Sequence, residues 1–142
     1  MTLVVIAVNP NKNSELKTEA ERLVTLLSLA KQEAILLSKE FAVELTHDGY
    51  SFLAITDQQW TPIEDNIFRA RNLPQDLYMD VYLEGEKYDF INAEEDEPSP
   101  RIYLFSSGEI TPFEIVLQGE ETTKTYHVSG DISGKLSMEE QE

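Results

Sequence analysis

The sequence predicts an α+β fold, in which a long N-terminal amphipathic helix packs on antiparallel β-sheets built from successive hairpins. Residues 14–38 contain no glycine or proline and carry apolar residues at alternating steps of four and three, the spacing of one helical face. After residue 39, short segments of alternating apolar and polar residues are separated by turn residues, as in hairpins. Because the strands follow the helix rather than alternate with it, the arrangement is α+β. A chain of 142 residues is most simply one domain, so a single domain over residues 1–142 is expected.

The chain opens on an aliphatic run, residues 3–8, which Asn9 and Pro10 end. As a helix this run would cover about 9 Å, against about 30 Å of bilayer hydrocarbon, so it cannot span a membrane by itself. It also lacks the basic flank and small-residue cleavage site of a signal peptide. The run alone leaves two interpretations open: a first β-strand, or the end of a longer hydrophobic helix that begins before this chain.

The helix predicted over residues 14–38 begins at Ser14, whose side chain suits an N-cap, with Glu15 in the first turn. Its wide apolar face needs a partner, and the sheet is the only candidate. The predicted face consists of Leu16, Ala20, Leu23, Leu27, Ala30, Ala34 and Leu37, widened by Val24, Leu26 and Ile35.

Two leucines do not follow this periodicity. Leu29 and Leu36 lie seven residues apart and project from the middle of the predicted polar side. They are either ordinary exposed leucines, which folded surfaces tolerate, or a seam on which the helix of a neighbouring subunit packs, which suits the spacing of seven.

Residues 40–136 are predicted to be β-rich. The turn at 47–49 joins the first two strands, residues 57–59 make a second turn, and Glu84-Gly85 makes a third. Residues 64–76 are predicted to be irregular, residues 101–118 to form strand, Ser-Ser-Gly turn and strand, residues 123–136 to form a last hairpin, and residues 137–142 to be an acidic, solvated tail.

The composition argues against several functions. A formal net charge of -16 repels nucleic acid and anionic lipid. There is no cysteine, and His47 and His127 are isolated from other ligand types, so neither an enzyme nor a cofactor or metal site is predicted. The acidic stretch 94–97 lacks the ligand spacing of a calcium loop, although calcium binding there stays open.

The segment "FSSGEITPFEIVL" (105–117) resembles the late part of minor pseudopilin H of bacterial type II secretion systems. Residues 21–45, 48–63, 71–85 and 125–136 are similar to segments of the same family, in the same order. Within the turn, Gly108 permits a backbone angle that other residues resist, and Pro112 suits a strand start. The following strand is expected to bury Phe113, Ile115 and Leu117 on alternate positions.

The resemblance implies a non-enzymatic structural subunit near the tip of a periplasmic pseudopilus, which supports export of folded proteins across the outer membrane. Its partners would be other minor pseudopilins and the major pseudopilin, and a missing N-terminal helix would anchor the native protein in the inner membrane. The chain without that helix is expected to be monomeric. Candidate subunit-interface residues are therefore Leu3, Val4, Val5, Ile6, Val8, Leu29 and Leu36. The alternatives are a type IV minor pilin and a periplasmic β-rich module that binds sugar or metal.

Overall fold

A computed structural model describes residues 10–142 and contains one long helix, α1 (Pro10–Leu37), about 42 Å long. The helix confirms the predicted element but includes four residues before Ser14. Ser14 is therefore not the N-cap: its carbonyl oxygen accepts a hydrogen bond from Thr18 Oγ1 at 3.1 Å inside the helix. No glycine interrupts residues 10–37, and proline is tolerated in the first turn of a helix.

The helix ends in two backbone hydrogen bonds that close its last turn. Lys39 N donates to Ala34 O at 3.0 Å and Ser38 N donates to Ile35 O at 3.3 Å, while Ser38 adopts a left-handed φ of 51°. This is the Schellman arrangement with serine in the position that glycine usually occupies. It turns the chain directly into the first strand.

The first sheet contains the two predicted N-terminal hairpins. Its strands are β1 (Phe41–Leu45), β2 (Gly49–Thr56), β3 (Gln59–Pro62), β4 (Arg71–Asn72) and β7 (Arg101–Leu104). The order is β3-β2-β1-β7, and β4 pairs with β2. All pairs are antiparallel, with Phe41 opposite Ala54 and Leu104.

The second sheet holds the remaining strands in the order β10-β9-β8-β5-β6. They are β5 (Leu77–Leu83), β6 (Glu86–Lys87), β8 (Phe113–Gly119), β9 (Thr125–Gly130) and β10 (Leu136–Gln141). The β5–β6 hairpin confirms the turn predicted at Glu84-Gly85. Phe113, Ile115 and Leu117 are buried, as their alternation predicted.

The predicted Ser-Ser-Gly turn forms, with Gly108 N donating to Phe105 O at 2.9 Å, and the predicted strands on either side of it, β7 and β8, enter different sheets. One prediction for the C-terminal half needs correction. Residues 137–142 are not a free tail, because all but the last belong to β10, which pairs with β9 along its whole length. The last hairpin therefore extends beyond residue 136.

Helix α1 packs on strands of both sheets, and the core lies between them. The predicted apolar face is buried from Leu16 to Ala34, including Leu26. The prediction is wrong for the last turn, where Ile35 is 47% and Leu37 54% exposed. Ile35 Cδ1 lies beside Gly108 in the Ser-Ser-Gly turn, and this turn covers the isoleucine only in part.

Candidate subunit-interaction surface

Leu29 and Leu36 lie on the side of α1 that faces solvent. Leu29 is 38% exposed and Leu36 is 77% exposed. At about 100° per residue the two side chains point within roughly 20° of each other, and the buried Leu27 and Ala34 lie on the other side of the helix. The structure thus confirms that this leucine pair (Leu29 and Leu36) is outside the core, without showing what covers it.

The last turn of the helix widens this apolar surface. Ile35 and Leu37 flank Leu36, and Leu37 lines an open groove of about 260 Å³ together with Phe41 and Phe68. The exposure of Ile35 and Leu37 was missed from the sequence, although a signal existed. Consecutive apolar residues at 35–37 spread over about 200° of a helix, so they cannot all face one core.

Five other interface residues predicted from the sequence lie outside the described residues: Leu3, Val4, Val5, Ile6 and Val8. The choice between a strand and a helix at residues 3–8 therefore stays a prediction. Within residues 10–142, no helix combines the length and the apolar character that a membrane span requires.

The two histidines and the acidic stretch 94–97 lie in different parts of the fold. His47 stacks on Tyr78 with ring centroids 5.1 Å apart. His127 lies on β9, where its Nε2 atom is within hydrogen-bond distance, 3.2 Å, of Thr125 Oγ1. The residues of the acidic stretch 94–97 are exposed. In the described part of the chain, no group of three or more histidine, aspartate or glutamate side chains is placed to hold a metal ion.

Two buried tyrosines differ in how their hydroxyl groups are satisfied. Tyr50 is 3% exposed, and its hydroxyl has no hydrogen-bond partner among the described residues. Tyr126 is equally buried, but its hydroxyl donates to Glu140 Oε1 at 2.8 Å. Burial is the main cause that raises the pKa of each phenol to about 12, with Glu19 adding to the rise at Tyr50 and the Glu140 hydrogen bond adding at Tyr126.

Replacing Tyr50 with phenylalanine is expected to leave the free energy of unfolding at neutral pH unchanged or to raise it by about 1 kcal/mol, because a buried hydroxyl without a partner is removed. Folding raises the phenol pKa, so the folded state resists ionisation of Tyr50 more than the unfolded state does. Ionisation therefore has no effect on the free energy of unfolding below pH 10, and it lowers that free energy progressively as the pH rises from about 10 to about 12. Tyr50→Phe should therefore reduce the alkaline loss of stability by roughly 2–3 kcal/mol. Urea unfolding at neutral and alkaline pH measures both effects.

Tyr126→Phe is the matched control for this prediction. It removes a phenol whose pKa is also raised, but it breaks a hydrogen bond, so stability at neutral pH should fall by about 1 kcal/mol. Equal losses of stability at neutral pH for the two variants would contradict the assignment of Tyr50 as unsatisfied.

Comparison with known proteins decides the family. The sequence model of the family described as "Type II transport protein GspH" matches residues 19–134. The chain belongs to the GspH family. The match includes the helix from residue 19 onward, the Ser-Ser-Gly turn and every strand except β10. It confirms the resemblance to minor pseudopilin H that the sequence indicated.

Individual GspH relatives agree with this assignment. Type II secretion system protein H of Vibrio cholerae is 26% identical over 162 aligned residues, which cover 96% of this chain and 84% of the relative. The solved minor pseudopilin EpsH from the type 2 secretion system of Vibrio cholerae has a TM-score of 0.73 at 29% identity, covering 87% of this chain and 94% of that one. The fold is therefore shared over almost the full length of both.

A more distant structure shares the fold alone. The type IV minor pilin FimU of Pseudomonas aeruginosa has a TM-score of 0.63 at 15% identity, covering 92% of each chain. A helix packed on antiparallel sheets is thus common to GspH proteins and to a type IV minor pilin, and the family match distinguishes between them. Pseudopilins assemble with one another in type II secretion systems, and membership of the GspH family implies a periplasmic globular domain and a structural role, with no enzyme known in the family.

Proposed function

We propose that this chain is a minor subunit near the tip of a type II secretion pseudopilus, where it supports export of folded proteins and carries out no catalysis. The observation that carries the proposal is the match of the GspH family to residues 19–134. Its partners are other minor pseudopilins and the major pseudopilin. A hydrophobic helix anchors the native protein in the inner membrane.

The contact with neighbouring subunits includes the leucine pair. Leu36 exposes about three-quarters of its surface and Leu29 more than a third, although burying a leucine side chain contributes about 1.5–3 kcal/mol. Their separation of seven residues is the interval at which one helix packs against another.

The leucine pair is tested by introducing Leu29→Glu and Leu36→Glu together into the native gene and measuring crosslinking to the other pseudopilins and export of secreted proteins. The loss of two buried leucines should reduce crosslinking about tenfold or more. The melting temperature of the soluble domain should change little, because exposed substitutions alter stability by about 0.5 kcal/mol or less.

The matched control replaces two exposed isoleucines outside the helix, Ile91→Glu and Ile132→Glu. Their side chains are 92% and 62% exposed. This variant adds the same charge and removes similar apolar surface, and it should retain crosslinking. Unchanged crosslinking in the leucine variant would refute this interface, and a large drop in its melting temperature would place the leucines in the core. If the native gene restores pilus assembly in a type IV pilus mutant but does not restore export in a type II secretion mutant, the minor-pilin alternative would be supported instead.

A further inference from the structure

Three arginines of this acidic chain meet at one open pocket of about 350 Å³. Arg22 comes from α1, Arg69 lies two residues before β4, and Arg71 is the first residue of β4. Ala70 and Asn72 complete the lining. The sequence suggests only the small pair at 69 and 71, because Arg22 is 47 residues away from Arg69 along the chain. The tertiary structure brings the third cation to them.

Backbone carbonyl oxygens hold the guanidinium of Arg71 in place, and no carboxylate of residues 10–142 forms an ion pair with it. Its Nη1 atom donates to Ile67 O at 2.8 Å and to Arg69 O at 3.1 Å, and its Nη2 atom donates to Asn66 O at 3.4 Å. These bonds orient the planar group but leave its charge uncompensated, because the carbonyl acceptors are neutral. A guanidinium fixed in this way retains donors for a further acceptor and loses little side-chain entropy when it binds one.

The other two arginines also retain binding capacity. Arg22 Nη1 donates to Glu19 Oε1 at 2.6 Å, and this glutamate is only 7% exposed. The Arg69 guanidinium makes no hydrogen bond or ion pair with residues 10–142. Asp65, four residues before Arg69, accepts hydrogen bonds from the backbone nitrogens of Ile67 and Phe68 at 2.9 and 2.6 Å and forms no ion pair with Arg69.

The pocket is therefore a local concentration of positive charge on a strongly negative protein. Three arginines face one buried carboxylate, while the whole chain has a formal net charge of -16. The charges of all three arginines lower the pKa of the buried Tyr50, opposing the larger rise from burial, which shows that the guanidinium groups lie near the same buried phenol. Such a site attracts an anion that is small enough to avoid the acidic surface around it.

We propose that this arginine pocket (Arg22, Arg69 and Arg71) binds the carboxylate side chains of a short acidic segment on a neighbouring protein subunit. The proposal rests on the proposed function, because Arg22 lies seven residues before Leu29 on the same side of α1. Arg22 and Leu29 are therefore about 10 Å apart along the axis of α1. A neighbouring helix that packs on the leucine pair would lie close to the pocket. A nucleic acid would have to run across the acidic remainder of the surface, whereas one or two glutamates would not.

The test is a titration of the isotope-labelled 142-residue chain, followed by NMR, with a capped peptide of three glutamates between glycines. The backbone signals of residues 22 and 69–72 and the arginine side-chain signals should shift saturably. The matched peptide with glutamines should not cause these shifts, and added salt should weaken binding because exposed charges are screened.

Arg69→Gln is the decisive variant, because the Arg69 side chain makes no hydrogen bond or ion pair within residues 10–142 that the substitution would break. It should weaken peptide binding about two- to fivefold, the range of one exposed ion pair. Lys17→Gln removes the same charge from an exposed position of α1 outside the pocket and should leave binding nearly unchanged.

Three results would overturn the proposal: no saturable shift at the pocket, no effect of Arg69→Gln, or inorganic phosphate shifting these signals when the acidic peptide does not. The last result would assign the pocket to phosphate rather than to a protein carboxylate. If the peptide does not bind but the Leu29→Glu, Leu36→Glu variant still loses crosslinking, only this inference is refuted. If the peptide does not bind and that variant keeps its crosslinking, the proposed subunit contact is refuted as well.

Discussion

Deletion of residues 137–142 is expected to lower the free energy of unfolding by roughly 3 kcal/mol or more. These residues form most of β10, whose every position from Leu136 to Gln141 pairs with β9. The deletion removes the strand that covers the edge beside the buried Tyr126 and Val128, and Met138, which packs against the core. Each lost hydrogen bond contributes about 1 kcal/mol, and apolar surface becomes exposed as well.

Urea unfolding of the truncated and complete chains measures this loss. The matched control keeps the backbone and changes only charge, through Glu139→Gln, Glu140→Gln and Glu142→Gln. This control should lose far less stability than the deletion, since it removes only the ion pair between Glu140 and Lys124, at 2.9 Å, and weakens the hydrogen bond from Tyr126. A deletion that changes stability by less than about 0.5 kcal/mol would support a solvated tail and refute the strand.

Gly134→Ala is expected to destabilise the protein by about 2–4 kcal/mol, through backbone strain and overpacking together. Gly134 lies in the turn before β10 at a φ of +92°. An added Cβ would collide with the carbonyl oxygen of Gly108 and would lie 2.8 Å from Lys31 Nζ. This is where the end of α1, the Ser-Ser-Gly turn and the last hairpin meet, because Lys31 Nζ donates to Gly134 O at 2.7 Å.

Gly85→Ala separates the two causes. Gly85 also has a positive φ, +85°, but an added Cβ would meet nothing within 4 Å. It should therefore cost only the backbone strain, about 1 kcal/mol. Equal losses for the two variants in thermal or urea unfolding would show that the contact between the last hairpin and the Ser-Ser-Gly turn does not matter for stability.

The candidate surface was predictable only where it depends on local periodicity. Leu29 and Leu36 stand out in the sequence because a helix repeats every 3.6 residues, and both are exposed. The arginine pocket was not predictable in this way. Arg22 joins Arg69 and Arg71 only because β4 pairs with β2, opposite Gly49 and Tyr50, and thereby brings this segment to the helix.

Local sequence was sufficient to predict the long helix, the turns at residues 47–49, 57–59, 84–85 and 106–108, and the alternating core positions of β8. These follow from contacts between residues close in the chain, where periodicity and turn chemistry decide the backbone. Three features depend on packing between distant parts of the chain: β7 and β8 join different sheets, the acidic C-terminus forms β10, and Ile35 and Leu37 face solvent. Strand partners and the extent of burial depend on surfaces distant in the chain, and no local pattern encodes which edge remains free to be paired.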